Sequence, residues 1–268
     1  MTTRARDGFP PTLKRFGQHF LADRAALERI VAAIDPTAAD TVVEIGPGRG
    51  ALTDLLAPRA GRLIAVELDR ALATMLRERF AEQPSVTIVE NDILHTDLGA
   101  LAGADYLLVG NVPYYITTPI LFHVLAGALP RRAVFLVQRE VADRMMAIPG
   151  SKAYGALSVN LQVSARVERV FDVPPGAFRP PPRVDSTVVR VMPLATPLVP
   201  AGEQPRLRSF VQSLFSQRRK QLGTILRGLG HDVPAVLGPL GIDPAVRPER
   251  LTPEQFITLF RAVRESER

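Results

Sequence analysis

An α/β architecture, built on a mostly parallel sheet and followed by a small all-helical domain, is the fold this sequence predicts. Three observations carry it. Short β-branched or apolar runs alternate with amphipathic helical stretches from about residue 25 to 140, the pattern of a parallel sheet covered by helices on both faces. The runs end in glycine, acid or amide residues, at the strand ends where open α/β sheets bind ligands. Beyond residue 206 helical spacing replaces the strand signals.

The elements follow in order. Ala25 to Ile34 has helical apolar spacing, with Asp23 as its N-cap. Thr41 to Ile45 is a β-branched run that ends in glycines, and Ala51 to Leu56 restarts a helix. Leu63 to Val66 is the next strand and closes on Glu67. Ala71 to Phe80 is amphipathic. Val86 to Val89 is a strand followed by Asn91-Asp92. Tyr106 to Val109 leads into Asn111, and Pro119 opens a helix, a residue suited to a first turn. Ala133 to Val137 is a strand and Glu140 to Met146 a helix. Leu157 to Val167 alternates partly and Thr187 to Val191 is β-branched. These read as two strands joined by a Pro-rich loop, an antiparallel addition at the sheet edge. Four prolines mark Met192 to Pro205 as a linker. Leu207 to Leu226, Pro234 to Leu240 and Pro253 to Val263 read as helices. The expected organisation is a tail at 1–13, an α/β domain at 14–192, a linker at 193–205 and a helical domain at 206–268.

Composition narrows the function. The chain of 268 residues has no cysteine, so disulfides and thiolate metal sites are excluded, and a reducing, cytoplasmic setting is expected. The four histidines show no paired metal-ligand spacing, so no metal is expected. No apolar run approaches a membrane span, and Met1 to Pro11 has no secretory apolar core. Net charge is +6 and the isoelectric point about 10.2, a balance that suits a polyanionic partner. No acid interrupts the stretch from Arg206 to Arg227. Within it, Arg218, Arg219 and Lys220 form a basic helix suited to phosphate contacts; a solvated helix face is the competing reading.

Two motifs carry chemistry. Glu44-Ile45-Gly46-Pro47-Gly48-Arg49-Gly50 is a glycine turn between strand and helix. Ala51 breaks the dinucleotide spacing, and no Lys-Ser/Thr pair makes it a phosphate loop. Glu67 is placed to accept from ribose hydroxyls, or to complement a helix dipole. Asp92 is placed for an adenine amino group, or forms a turn pair with Asn91. A phosphate-free nucleoside donor, S-adenosylmethionine, fits this set. Asn111-Val112-Pro113-Tyr114 combines an amide oxygen, a stiff extended backbone and a ring. The amine of a flat base, such as adenine N6, suits the Asn111 oxygen and the Pro113 carbonyl as acceptors, with Tyr114 stacking. Phe178 is the candidate for the base's other face, with a core aromatic as the competing reading. Such a base has to be single-stranded or flipped out.

Arg15-Phe16-Gly17-Gln18-His19-Phe20-Leu21, Glu44 to Gly50, Asn111 to Tyr115 with Ile116-Thr117-Thr118-Pro119, Phe178 to Ser186 and the Arg218 stretch occur in that order. Together they resemble the ribosomal RNA adenine N6,N6-dimethyltransferases of the small-subunit type, from Lys14 to about Phe260. The resemblance implies a Rossmann-like class I methyltransferase domain and donor contacts from His19, Leu21, Gly46, Glu67, Asp92 and Asn111. It implies dimethylation of two neighbouring adenosines in the 3′-terminal hairpin loop of 16S rRNA, on an immature 30S particle; a monomer is expected. His19 stands where the family commonly has Asn, and Val112 where it has Leu or Ile. Two alternatives stand beside it. One is a 23S rRNA adenine methyltransferase of the macrolide-resistance type, which shares the donor loop and catalytic motif. The other is a nucleic-acid-binding factor that kept the fold and lost catalysis, against which the intact Asn111-Pro113-Tyr114 set argues.

Overall fold

The computed structural model describes residues 19–112 and 116–266. The expected tail at 1–13, the start of the N-terminal motif, and Pro113 and Tyr114 lie outside the described residues. In chain order the elements begin with β1 (Phe20–Leu21), α1 (Arg24–Ile34), β2 (Thr41–Ile45), α2 (Thr53–Leu56), β3 (Arg62–Glu67), α3 (Arg70–Arg79) and β4 (Val86–Glu90). Next come α4 (Leu98–Ala102), β5 (Leu107–Asn111), α5 (Thr117–Ala126), β6 (Arg132–Gln138), α6 (Arg139–Met146), α7 (Ala156–Gln162) and β7 (Ala165–Val173). The chain then runs through β8 (Phe178–Arg179), β9 (Ser186–Pro193), α8 (Gln204–Ser216), α9 (Leu222–Gly228), α10 (Val233–Leu237) and α11 (Pro253–Ser266).

A seven-stranded sheet has the order β4-β3-β2-β5-β6-β9-β7. Strands β4, β3, β2, β5 and β6 run parallel and β9 is antiparallel to β6. This is the expected parallel sheet with an antiparallel addition. Val42, Val43, Ile45, Leu63, Ile64 and Val66 are all buried, because a parallel strand is covered on both faces and therefore reads as continuously apolar. Asp23 caps α1 by accepting from the Ala26 N–H, and Asp69 caps α3 at Ala71 and Leu72. Each such cap is worth about 1 kcal/mol.

Two compact units emerge, and their boundaries differ from the expected ones. One unit runs to Ala142 and resumes over Val167–Pro193; the other comprises Asp143–Arg166 and the chain from Leu194 onward. Its own core explains why 143–166 belongs to the second unit. Tyr154, Val159 and Val163 pack in one cluster with Leu207, Val211, Leu214 and Phe256. The Tyr154 hydroxyl donates to the Leu251 carbonyl at 2.9 Å, and Phe215 stacks on Phe256 with centroids 5.5 Å apart. Leu157 to Val167, expected as a strand, begins with α7, and the strand β7 starts only at Ala165. The expected linker is held down: Leu194 N donates to Ser164 O and Leu198 N to Val163 O, and Val199 is buried.

Candidate active site at the strand tips

Register along the sheet brings the tips of four strands together. Ile45 lies opposite both Val66 and Gly110, and Glu67 opposite Glu90. Hydrogen bonds close the row, with Gly46 N donating to Val66 O and Asn91 N to Glu67 O. A Cβ built on Gly46 would lie 3.9 Å from the Asn111 carbonyl oxygen. Gly46, Glu67, the Asn91-Asp92 pair and Asn111 therefore line one edge, as the sequence predicts.

The glycine turn is shaped for a ligand without phosphate. Gly46, Gly48 and Gly50 have φ of 65°, 59° and 83°, a region that costs other residues about 1–2 kcal/mol each. At Gly48 a Cβ would also approach the Phe20 ring to 2.9 Å. Three of the turn's N–H groups are already engaged: Gly46 N with Val66 O, Gly50 N with Pro47 O inside the turn, and Gly48 N with Glu67 Oε2 at 3.0 Å. A phosphate loop needs such groups facing the ligand. Here a carboxylate holds the central one.

Glu67 takes a second N–H, from Asp69, on Oε1 at 2.9 Å. Each carboxylate oxygen has two lone pairs, so one on each remains for a donor's ribose hydroxyls. Burial pushes the Glu67 carboxyl above its ordinary range, and the N–H groups of Asp69 and Gly48 pull it back. Asp92 also realises the turn reading: Oδ1 accepts from Leu94 N at 2.9 Å, while Oδ2 lies 3.4 Å from His95 Nδ1. A contact to the donor's base falls to its remaining lone pairs.

At the end of β5, the Asn111 amide nitrogen donates to the His19 carbonyl oxygen at 3.1 Å. A carbonyl only accepts, so the orientation of the amide is set and Oδ1 is left as the acceptor for a substrate N–H. A cavity of about 320 Å³ opens beside it, walled by Phe20, Leu21, Glu44, Arg49 and Gly110. The Leu21 side chain also belongs to the first unit's core. The Arg49 guanidinium sits over the Phe20 ring at 4.8 Å.

Glu44 on this wall carried no assigned role in the sequence, although an acid inside an apolar strand run is a visible signal. It is 2% exposed and its Oε2 has no hydrogen-bond partner. Burial pushes its carboxyl up to about 8, the Thr53 hydroxyl pulling it down and the charges of Glu67 and Asp54 adding to the rise. Neutral Glu44 is therefore the dominant form at pH 7.

Two predicted roles need correction. Phe178 has 0% exposure and packs in the core cluster with Leu21, Leu27 and Val188. As part of β8 it pairs with Leu21, so it is a core aromatic and presents no face to a base. The Arg218-Arg219-Lys220 stretch is a turn between α8 and α9, not a helix. Arg218 is engaged within its own unit: Nε pairs with Glu249 at 2.5 Å and Nη2 donates to the Lys152 carbonyl. Arg219 and Lys220 are the exposed cations of the turn. Among the described residues no group of three or more potential metal ligands converges.

The profile of the ribosomal RNA adenine dimethylase family matches residues 12–265. A ribosomal RNA small subunit methyltransferase A from Acidobacterium capsulatum is 49% identical over 258 residues, covering 94% of this chain and 91% of its own length. The protein of the same name from Geobacter sulfurreducens is 44% identical, with coverage of 93% and 94%. A dimethyladenosine transferase from Plasmodium falciparum superposes with a TM-score of 0.81 at 25% identity, over 93% of this chain and 98% of that one. The 23S rRNA methyltransferase ErmE gives 0.71 at 28% identity, with coverage of 91% and 99%.

Proposed function

The chain belongs to the ribosomal RNA adenine dimethylase family, and on that premise we propose that it moves methyl groups from S-adenosylmethionine to N6 of two adjacent adenosines. These lie in the 3′-terminal hairpin loop of 16S rRNA, each takes two methyl groups, and the substrate is a precursor of the 30S subunit. The reaction is then a step of small-subunit biogenesis, carried out in the cytoplasm by a monomer. Among the described residues no helix is long and apolar enough to cross a membrane.

One observation carries the reading. The glycine turn gives its central N–H to Glu67, and its Gly46 lies beside the backbone carbonyl of Asn111 at the end of the neighbouring strand. A phosphate-free nucleoside with a free ribose diol and a base amine are the ligands this edge suits. When bound, the donor supplies a methyl group already activated by a sulfonium, so the protein's work is alignment. Glu67 holds the ribose. Asn111 Oδ1 accepts an N6 hydrogen, which draws the nitrogen lone pair out of the ring and offsets the positive charge that grows as the bond to carbon forms. The Pro113 carbonyl is the second acceptor and Tyr114 the stacking ring. Arg219 and Lys220 contact phosphate.

Mass spectrometry of small-subunit rRNA, before and after incubation of undermethylated 30S particles with protein and donor, tests the proposal. Two dimethylated neighbours in the terminal hairpin are expected; particles that gain no methyl group would overturn it. Similarity to ErmE supplies a second reading, a 23S substrate. The same assay on large-subunit rRNA decides between them.

A further inference from the structure

A two-stranded ribbon, β1 with β8, stands beside the catalytic amide. Its rungs are Leu21 opposite Phe178 and Phe20 opposite Arg179. The next rung would join residue 19 to Pro180, which has no N–H to give. Instead His19 Nδ1 reaches the Pro180 carbonyl oxygen at 2.9 Å. Because that oxygen only accepts, Nδ1 carries the proton. His19 thus makes two bonds in opposite directions, its carbonyl to Asn111 and its ring to Pro180.

The loop after Pro180 is anchored again at its far end. Arg139 N donates to the Asp185 carbonyl at 3.0 Å, and Arg139 Nη1 meets the Asp185 carboxylate at 3.1 Å. Between the anchors Val184 is 45% exposed. With Phe178 buried, Arg179, which lines the cavity beside Asn111, and this short span are the parts of the late motif left to meet a target nucleotide.

We propose that the His19 imidazole is a positioning residue, which holds the 180–185 loop in register with the Asn111 amide. The proposal rests on the function given above and adds to it how the base-facing loop is aligned. A geometric test follows from bond lengths. In Asn the side-chain Nδ2 stands two bonds from Cβ, the place of His Nδ1, so His19→Asn can remake the bond. In Gln the amide lies one bond farther out. In Asp an acceptor faces the Pro180 carbonyl and repels it.

The experiment compares wild type with His19→Asn, His19→Gln and His19→Asp. It measures kcat on 30S particles, donor KM, and amide hydrogen exchange at residues 183–186 in the free protein. His19→Asn is expected to stay within about twofold of wild type. His19→Gln and His19→Asp are expected to lose kcat by about tenfold or more, as misaligned reactants do, with faster exchange at 183–186. Donor KM stays within about twofold, because on this proposal the ring of His19 serves the loop and any donor contact at residue 19 comes from its main chain, which all three variants keep. Unchanged exchange in His19→Gln and His19→Asp would overturn the proposal. So would an Asn variant as impaired as Gln, or losses that appear in donor KM alone. Exchange is read without RNA or donor, so failure of wild type to methylate would count against the proposed function and leave the tether measurable.

Discussion

Asn111 Nδ2 lies 3.1 Å from the carbonyl oxygen of His19, ninety-two residues earlier in the chain. That single contact leaves Oδ1 as the free-facing end of the amide, the end that meets the substrate in the proposed function. Replacing Asn111 with Ala removes the acceptor for the N6 hydrogen. Turnover is expected to fall by about 10²–10³, while donor affinity changes by less than about tenfold. Asn111→Asp has nearly the same shape, but its oxygen would face the His19 carbonyl, so it is expected to fail as well. Single-turnover transfer with calorimetric donor titration checks both, and wild-type rates in either variant would remove the assigned role.

Glu67 holds the turn and, in the proposed function, the donor as well. A glutamine there has one acceptor oxygen, yet two N–H groups point at the side chain, from Gly48 and Asp69. One of them would meet an NH2 group. The expected loss of donor affinity corresponds to about 1–3 kcal/mol. Titration of donor into the free enzyme measures it, and an affinity equal to wild type would show that the ribose does not bind here.

Glu44 predicts a dependence on pH. Its carboxyl is raised from 4.5 to about 8 in the folded chain. The folded state therefore holds a proton that the unfolded state releases above pH 4.5. Stability from this group is complete below that value and is lost as pH rises through about 8. Glu44→Gln keeps a neutral side chain at every pH. It is expected to flatten the decline and to be more stable than wild type at pH 8, by up to about 4 kcal/mol. Denaturant melts of both proteins at several pH values decide the matter; parallel curves would mean that Glu44 ionises normally.

The turn after α8 separates structure from binding. Arg218 is tied to Glu249 and Lys152, so Arg218→Ala is expected to cost about 1 kcal/mol of stability and to leave the salt dependence of particle binding alone. Reversing Arg219 and Lys220 is expected to leave melting unchanged and to reduce the salt slope by roughly one unit for each phosphate no longer neutralised. The opposite division of effects would return Arg218 to the interface.

Most of the first unit is legible because parallel strands announce themselves: Thr41–Ile45 and Arg62–Glu67 are mostly apolar and buried on both faces, and each runs to the edge where the glycine turn and Glu67 lie. Residues 156–162 deceive for a related reason. Leu157, Ser158, Val159, Asn160 and Leu161 are all buried, so neither the helical nor the strand period shows, and the partial alternation misleads. At 217–220 the residues are good helix formers, and the interruption coincides with the pairing of Arg218 with Glu249, a partner no local window contains. For Phe178 the proline-rich neighbourhood suggests a loop aromatic, but pairing with Leu21, far away in sequence, takes the ring inside.

The placing of β9 between β6 and β7 bears on synthesis. β7 leaves the ribosome before its sheet neighbour exists. Until residue 193 has emerged, β6 and β7 each present an open edge to solvent, and such edges invite pairing with other chains. A product that stops short of β9 is therefore expected to aggregate rather than to yield a smaller soluble fragment.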